Sequence, residues 1–242
     1  MRIDVYICEK GLCTSRTEAK EHILGGLVKV NGKLVTKPSF LVFDGDSVVI
    51  EGEARKYVSR GGLKLEGAIN AFGLDVSGAL ALDVGASSGG FTDCLLKHGA
   101  RRVIAVDSGF GQLAESVRSD KRVISIENYN ARFMRPEDLE YIPNLAVMDV
   151  SFISSTLIIP AVYSVLAPMG EFVLLVKPQF EVGRSGIGKG GIVKDERLRE
   201  KALLDVIDFS EKLGFKMIDT AKSPIEGGDG NIEYLVRFRK ER

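Results

Sequence analysis

The sequence is poor in cysteine and carries no net charge, and both shortages narrow the class of protein. Its 242 residues contain only Cys8, Cys13 and Cys94, an odd number with no CxxC pair. This pattern argues against a disulfide framework or a metal site and predicts a reducing, cytoplasmic setting. The formal net charge of +0 means that overall charge does not indicate a nucleic-acid partner, although local charge still can.

Long hydrophobic runs are also missing. The most apolar stretch, LIIPAVYSVLAPMG, is interrupted by Pro160 and Pro168, and it is shorter than the about 20 residues that a transmembrane helix needs. The first residues, MRIDVYICEKGL, lack the apolar core of a signal peptide. We therefore expect a cytoplasmic protein without a membrane partner, and the 45% of hydrophobic residues suffice for a folded core.

Changes in pattern along the chain predict two domains. Residues 1–52 are typical of a small α+β domain, because SRTEAKEHILGG reads as a helix that begins with a capping box at Ser15. Asn31-Gly32 within LVKVNGKLV is a strong hairpin signal. The polar residues 53–58 predict a linker.

Residues 59–242 alternate strand-like and helical stretches, which predicts an α/β fold with a mostly parallel, doubly wound sheet. Only KSPIEGGDGNI separates the last two strand-like runs, so we expect them to form an antiparallel pair. The seven strand-like runs are ALALDVG, RVIAVDSG, VISIEN, LAVMDVS, EFVLLVKP, FKMIDTA and EYLVRF.

The stretch LDVGASSGG lies at the end of the first of these strands, where open parallel sheets bind ligands. Gly85 allows a tight turn, and Gly89 and Gly90 let a ligand approach the backbone. Asp107 ends the next strand, about 20 residues on, where a carboxylate binds ribose hydroxyls. The loop therefore suits a nucleoside-containing cofactor.

Three interpretations compete for this loop. NAD is disfavoured because Ala86-Ser87-Ser88 replaces the middle of GxGxxG, and a turn without any ligand is the second alternative. The spacing G-A-S-S-G-G resembles the class I, Rossmann-like methyltransferases that use S-adenosylmethionine, which implies that Asp83 faces the methionine end and Asp107 the ribose. The cofactor contacts expected on this basis are Asp83, Gly85, Ala86, Ser87, Gly89, Gly90, Phe91, Asp107, Asn130 and Asp149.

Charged residues stand where the predicted sheet should place its active site. They are Lys64 in SRGGLKL, Asp149 in MDVSF, Lys177 in LLVKPQF and Glu233 in GNIEYL. A charged residue at the end of a buried strand is unusual unless it is paired or functional. Two lysines and two carboxylates suit methyl transfer to a hydroxyl, with a lysine as base and the carboxylates orienting the lysines. Salt-bridged strand ends without a catalytic role are the alternative.

Five segments together resemble one family. YVSRGGLKL, LDVGASSGGFTDCLL, MDVSFIS, LVKPQFE and GNIEYL are similar to the TlyA family of ribosomal RNA methyltransferases, within the wider FtsJ-like 2′-O-methyltransferases. The resemblance covers essentially the whole chain. It implies methyl transfer from S-adenosylmethionine to the 2′-hydroxyl of a cytidine in ribosomal RNA. The family's K-D-K-E tetrad falls on Lys64, Asp149, Lys177 and Glu233.

The sequence departs from the family in one place and matches its shorter form. Tyr57 stands in the linker where the family often has tryptophan, so an aromatic side chain is kept. The compact ends resemble the shorter form of the family, which favours the large ribosomal subunit as partner over the small one.

Basic residues predict the contacts to RNA. The first domain is similar to the small RNA-binding fold first named after a small-subunit ribosomal protein, and the glycine-rich loop EVGRSGIGKGGIVKDE is expected to cover the substrate. Such side chains contact phosphates and position the protein without reading sequence; a merely solvated basic face is the alternative. The expected RNA contacts are Arg2, Lys10, Arg16, Lys20, Lys29, Lys33, Lys37, Arg60, Arg184 and Lys189.

Other functions find less support in the sequence. DVSF after the fourth strand lacks the D/N-P-P-Y-like turn of amino-methylating enzymes, and no cysteine nucleophile lies near the fourth or fifth strand. His22 and His98 lack metal-ligand spacing and are expected to pack or face solvent. Two alternatives outside this chemistry stay open, namely a ribosome assembly factor without catalysis and a cytolysin, since TlyA-like proteins have carried a hemolysin label.

Overall fold

Two compact units make up the chain, Met1–Lys56 and Tyr57–Arg242. The structure is a computed structural model, and side chains are described except those of Glu21 and Lys189. The described residues are 1–13, 15–51, 56–183, 186–227 and 230–241. Within these ranges, no helix combines the length and the apolar character that a membrane span requires.

The first unit packs two helices on a small sheet. The helices are α1 (Ile3–Glu9) and α2 (Arg16–Leu24). The strands are β1 (Val28–Val30), β2 (Lys33–Leu34) and β3 (Val48–Ile50), in the antiparallel order β2-β1-β3.

Local signals in the sequence explain how this unit is built. Asn31 and Gly32 both have positive φ, 52° and 76°, as a two-residue hairpin turn of the favoured hand requires. The N–H of Glu18 donates to Ser15 Oγ at 3.1 Å, so the predicted helix start is confirmed. The apolar faces of both helices meet the sheet in a buried core that includes Ile3, Ile7, Ala19, Ile23, Val28 and Val30.

The second unit is built on a seven-stranded sheet in the order β6-β5-β4-β7-β8-β10-β9. Its first five strands are parallel, and β10 runs antiparallel to both β8 and β9, so the predicted α/β sheet and its terminal antiparallel pair are confirmed. The strands are β4 (Leu80–Val84), β5 (Arg102–Val106), β6 (Val123–Ile126), β7 (Leu145–Met148), β8 (Glu171–Val176), β9 (Phe215–Lys222) and β10 (Tyr234–Lys240).

Helices cover both faces of this sheet. Since side chains alternate along a strand, Leu82 and Val84 enter one buried cluster and Ala81 enters the other. The α-helices are α3 (Gly61–Phe72), α4 (Gly90–Lys97), α5 (Glu115–Arg118), α6 (Ile159–Val165), α7 (Pro178–Glu181) and α8 (Glu196–Leu213). Short 3-10 helices lie at Ala131–Phe133, Pro136–Asp138, Ser155–Leu157 and Lys189–Gly191.

The end of the expected linker belongs to the second unit instead. Tyr57 is 2% exposed, and its ring packs so closely on α3 that a Cβ at Gly62 would lie 2.3 Å from the ring. The N–H of Val58 donates to Asp93 Oδ2 on α4 at 2.9 Å. A sequence pattern that shows only polarity does not reveal such packing, which is why residues 53–58 read as linker.

Candidate active site

The loop after β4 passes close to the neighbouring strand β7. Gly85 has φ 85°, and a Cβ there would lie 2.6 Å from the carbonyl oxygen of Asp149. Only glycine fits both the left-handed backbone and this spacing. The loop therefore presents bare backbone at the carboxyl edge of the sheet, where ligands of this fold class bind.

Asp83 is a buried acceptor with one oxygen unused. Thr92 Oγ1 donates to Asp83 Oδ2 at 2.6 Å, whereas Asp83 Oδ1 is buried and has no hydrogen-bond partner among the described residues. Burial raises the pKa of Asp83 to about 7; the Thr92 hydrogen bond opposes the rise, and the charge of Asp149 adds to it. An unused buried acceptor of this kind is suited to an N–H donor from a ligand.

Asp107 holds two loops together at the end of β5. Its Oδ2 accepts from the N–H of Ser87 and its Oδ1 accepts from the N–H of Gly109, both at 2.7 Å. Because each carboxylate oxygen accepts more than one hydrogen bond, Asp107 keeps capacity for ribose hydroxyls. Asn130, by contrast, accepts from the N–H of Arg132 and caps a 3-10 helix, so its role toward a cofactor stays a prediction.

These groups fit S-adenosylmethionine. Its cationic end would be matched by the unused oxygen of Asp83, Gly85 lines the cleft with bare backbone, and Asp107 supplies acceptors for hydroxyls.

Two lysine–carboxylate pairs lie at the same edge of the sheet. Lys64, in the first turn of α3, donates to Glu233 Oε2 at 2.5 Å, and both side chains are buried. Lys177 follows β8, and its Nζ lies 2.5 Å from Oδ1 of Asp149, which follows β7. Lys177 also donates to Ser151 Oγ at 2.8 Å.

A cleft of about 260 Å³ brings the predicted cofactor loop and the lysines together. Glu233, the partner of Lys64, is not among the residues of the cleft wall. Asp83, Gly89, Asp107 and Asn130 are not in its wall either. The predicted residues that line it are Arg60, Lys64, Gly85, Ala86, Ser87, Gly90, Phe91, Asp149 and Lys177.

Sequence reasoning missed several residues of this site. Ser59, Ser151 and Glu226 also line the cleft, and Arg60 donates to the backbone oxygen of Glu226 at 3.1 Å. Ser151 lies inside the MDVSF motif and could have been noticed there. The Arg60–Glu226 contact joins residues far apart in sequence, and no local pattern announces it.

Some of the basic residues of the first unit already have partners. Arg2 and Arg16 both pair with the buried carboxylate of Asp4, at 3.0 and 2.9 Å. The hydrogen bond from Arg2, against the effect of burial and with help from Arg16, lowers the pKa of Asp4 to about 2. Lys29 pairs with Glu51 at 2.5 Å.

The remaining residues predicted to contact RNA differ in their exposure and in their neighbours. Lys10 lies 5.6 Å from the centre of the Tyr6 ring, and Lys20, Lys33 and Lys37 are exposed. Two of the predicted contacts are not described: Arg184 falls outside the described residues, and the Lys189 side chain is not described.

The first unit also contains a cluster that the sequence did not reveal. His22 is buried, and its Nδ1 lies 3.1 Å from Cys13 Sγ. With Glu18, their ligand atoms lie within 4.8 Å of one another, a spacing that could hold a metal ion. Burial raises the pKa of the Cys13 thiol, which keeps the sulfur protonated and disfavours metal binding.

Two family descriptions match the chain. Residues 57–240 match the FtsJ-like methyltransferase family, and residues 1–48 match the S4 domain. The two matches fall on the second and the first structural unit, respectively.

Similar proteins cover nearly the whole chain. Hemolysin A of Brachyspira hyodysenteriae is 46% identical over 98% of this chain and 99% of its own length. The 16S/23S rRNA (cytidine-2'-O)-methyltransferase TlyA of Mycobacterium tuberculosis is 42% identical over 99% of this chain and 90% of its own. A solved protein of Streptococcus thermophilus with a provisional hemolysin name is 46% identical, covers 99% of this chain and 88% of its own, and superposes with a TM-score of 0.78.

Proposed function

Because the chain belongs to the FtsJ-like methyltransferase family, we propose that it transfers a methyl group from S-adenosylmethionine to the ribose 2′-hydroxyl of a cytidine in ribosomal RNA. The observation that carries the proposal is the single cleft lined by the glycine loop, Lys64, Asp149 and Lys177. A similar protein that is 42% identical over almost the full chain bears the name of this activity.

In this proposal the loop after β4 holds the cofactor. Asp83 Oδ1 would accept from its ammonium group, Asp107 would accept from its ribose hydroxyls, and Gly85 would face it from the cleft wall. When bound, S-adenosylmethionine would supply a methyl group on a positively charged sulfur, and the broken sulfur–carbon bond would leave its electron pair on sulfur as a neutral thioether.

The two lysine pairs have different tasks in the proposed reaction. Lys177 accepts the proton of the 2′-hydroxyl, and Asp149 stabilises the resulting ammonium. Lys64, held by buried Glu233, supplies a fixed positive charge beside the developing negative oxygen. Base catalysis of this kind is worth roughly 10²–10⁴-fold in rate.

The first unit is proposed to bind the RNA. Residues 1–52 would form the RNA-binding domain and residues 59–242 the methyltransferase domain. Exposed Lys20, Lys33 and Lys37 are available for phosphate contacts. The large ribosomal subunit is the favoured partner.

The test uses purified full-length protein, labelled S-adenosylmethionine and ribosomal subunits that lack the modification. We expect label on the 2′-oxygen of a cytidine, located by nuclease digestion and mass spectrometry, and loss of transfer in Lys177→Ala. Label on a base, or cofactor binding without transfer to either subunit, would contradict the proposal and favour a non-catalytic assembly factor. The same preparation should not lyse erythrocytes, which tests the cytolysin alternative.

A further inference from the structure

We propose that Ser151 is a positioning residue for Lys177, and that its hydroxyl sets the direction in which the amine of Lys177 faces the substrate. The inference rests on the proposed function, in which Lys177 removes the proton of a ribose hydroxyl. Ser151 lies outside the tetrad, but it lines the same cleft and contacts Lys177 of the tetrad.

The two partners of Lys177 hold it in different ways. Asp149 Oδ1 lies 2.5 Å from Nζ, yet this oxygen is buried without an aligned hydrogen bond. Charge attraction depends mainly on distance, so Asp149 fixes where the nitrogen lies. Ser151 Oγ accepts a hydrogen bond from Nζ at 2.8 Å. Because hydrogen bonds weaken steeply away from linearity, Ser151 fixes how the nitrogen is turned.

The direction of Lys177 matters once the lysine is neutral. A neutral amine has two N–H groups and one lone pair, and only the lone pair accepts a proton. The hydrogen bond to Ser151 turns one N–H group toward its hydroxyl, and the negative charge of Asp149 attracts the other N–H group without an aligned hydrogen bond. The lone pair is then left in the third position, and Lys177 lines the cleft in which the substrate hydroxyl would lie. Without the Ser151 hydroxyl, rotation about the terminal bond would spread the lone pair over other directions.

The residue after Ser151 has a strained backbone, which indicates that the surrounding structure holds Ser151 in a defined position. Phe152 has φ 64°, and its side chain is 93% exposed. For an aromatic residue a left-handed backbone costs roughly 1–2 kcal/mol. Such strain persists only where the surroundings hold it, and it clusters at functional sites.

Glu181 holds this strained turn from the side of Lys177. Its Oε1 accepts from both the N–H and the Oγ of Ser155 at 2.8 Å, and its Oε2 accepts from Ser154 Oγ at 2.5 Å. Glu181 ends α7, the short helix that begins directly after Lys177. One carboxylate thus ties the segment that carries Ser151 to the segment that carries Lys177.

The experiment compares Ser151→Ala and Ser151→Cys, which lose a good acceptor, with Ser151→Thr, which keeps the hydroxyl at an exposed position. Ser119→Ala, another exposed serine that bonds only the backbone of Glu115, is the matched control. Single-turnover methyl transfer is measured at saturating RNA and cofactor across pH, together with the Kd for S-adenosylmethionine and the Tm. We expect Ser151→Ala and Ser151→Cys to be about 10-fold slower at every pH, with Kd unchanged. Ser151→Thr and Ser119→Ala should stay within about 2-fold of the wild type.

The possible outcomes test the role of Ser151 separately from the proposed function. Wild-type rates in Ser151→Ala and Ser151→Cys would overturn the positioning role and leave the proposed function intact. Recovery of the Ser151→Ala rate at high pH would overturn it too, because the defect would then lie in how much lysine is neutral rather than in its direction. A parallel loss of cofactor affinity would make Ser151 a cofactor-binding residue instead. Absence of transfer by the wild-type protein would refute the proposed function itself.

Discussion

The two walls of the cleft use the same pair of residue types in opposite ways. On the Lys64 wall, Lys64 of α3 lines the cleft, and its partner Glu233, directly before β10, lies outside the wall. The carboxylate of Glu233 is 2% exposed, and a Cβ at Gly227 would lie 2.6 Å from it. On the Lys177 wall, after β7 and β8, Asp149 is 18% exposed and Ser151 reaches the cleft. A pair whose carboxylate is buried suits a fixed charge, whereas a pair whose carboxylate is partly exposed suits a lysine that exchanges a proton with substrate.

The largest effect should come from exchanging lysine for arginine on each wall. Arginine stays protonated in proteins, so it keeps the charge but cannot act as a base. We expect Lys177→Arg to slow single-turnover methyl transfer by roughly 10²–10⁴-fold. Lys64→Arg keeps the fixed charge beside Glu233 and should lose only about 10-fold, from altered geometry.

Equal losses of methyl-transfer rate in Lys177→Arg and Lys64→Arg would contradict the different roles assigned to the two lysines. A larger loss in Lys64→Arg would reverse the assignment of base and fixed charge. The Kd for S-adenosylmethionine, measured for both variants, separates a defect in chemistry from a defect in binding.

Stability should distinguish the walls next. Glu233→Gln leaves the ammonium of Lys64 buried without its partner, which costs roughly 3–5 kcal/mol of unfolding free energy. Asp149→Asn should cost only about 1–2 kcal/mol, since the Asp149 side chain is more exposed than that of Glu233. Asp208→Asn, which breaks an exposed pair with Lys212, is the surface control and should cost under about 0.5 kcal/mol.

If the two units unfold separately, one global unfolding transition does not give the stability of either unit. Amide hydrogen exchange of β10 and β4 in increasing urea reports on the second unit alone. Similar costs for Glu233→Gln and Asp149→Asn would mean that the burial difference between the two pairs has no energetic consequence.

A smaller effect on methyl transfer should come from removing a hydrogen bond that supports only the Lys177 wall. Glu181→Gln keeps the size of the side chain but turns one acceptor into a donor, so a bond to Ser154 or Ser155 is lost. We expect transfer to slow about 10-fold with cofactor affinity unchanged. Glu140→Gln, at an exposed pair with Arg102, serves as control. Wild-type activity in Glu181→Gln would show that the turn at Ser151 holds its shape without the clamp.

Much of this architecture could be predicted because the signals are local. Asn31-Gly32 needs positive φ at both positions, and alternating strands and helices favour a parallel sheet whose ends carry the polar residues. The placement of Lys64, Asp149 and Lys177 at one cleft follows from that topology.

Contacts between distant side chains could not be predicted in the same way. The bonds of Glu181 to Ser154 and Ser155 and the packing of Tyr57 on α3 depend on how finished elements lie against each other. Periodicity and motif spacing carry no information on such pairs, so the supports of the site emerge only from the structure.

The smallest effect, a shift in pH dependence, tests whether the Lys177 wall also tunes the cofactor pocket. Because ionised Asp83 binds a cation better than protonated Asp83, affinity for S-adenosylmethionine should fall as pH drops through the pKa of Asp83, about 7. Asp83→Asn should remove this component and leave only the titration of the ligand's own amine. The charge of Asp149 contributes to the raised pKa of Asp83, so Asp149→Asn should move the midpoint down by less than about one pH unit. Glu233→Gln should leave it in place, and calorimetric titration across pH would show whether the carboxylate of one wall, and not that of the other, governs the pocket.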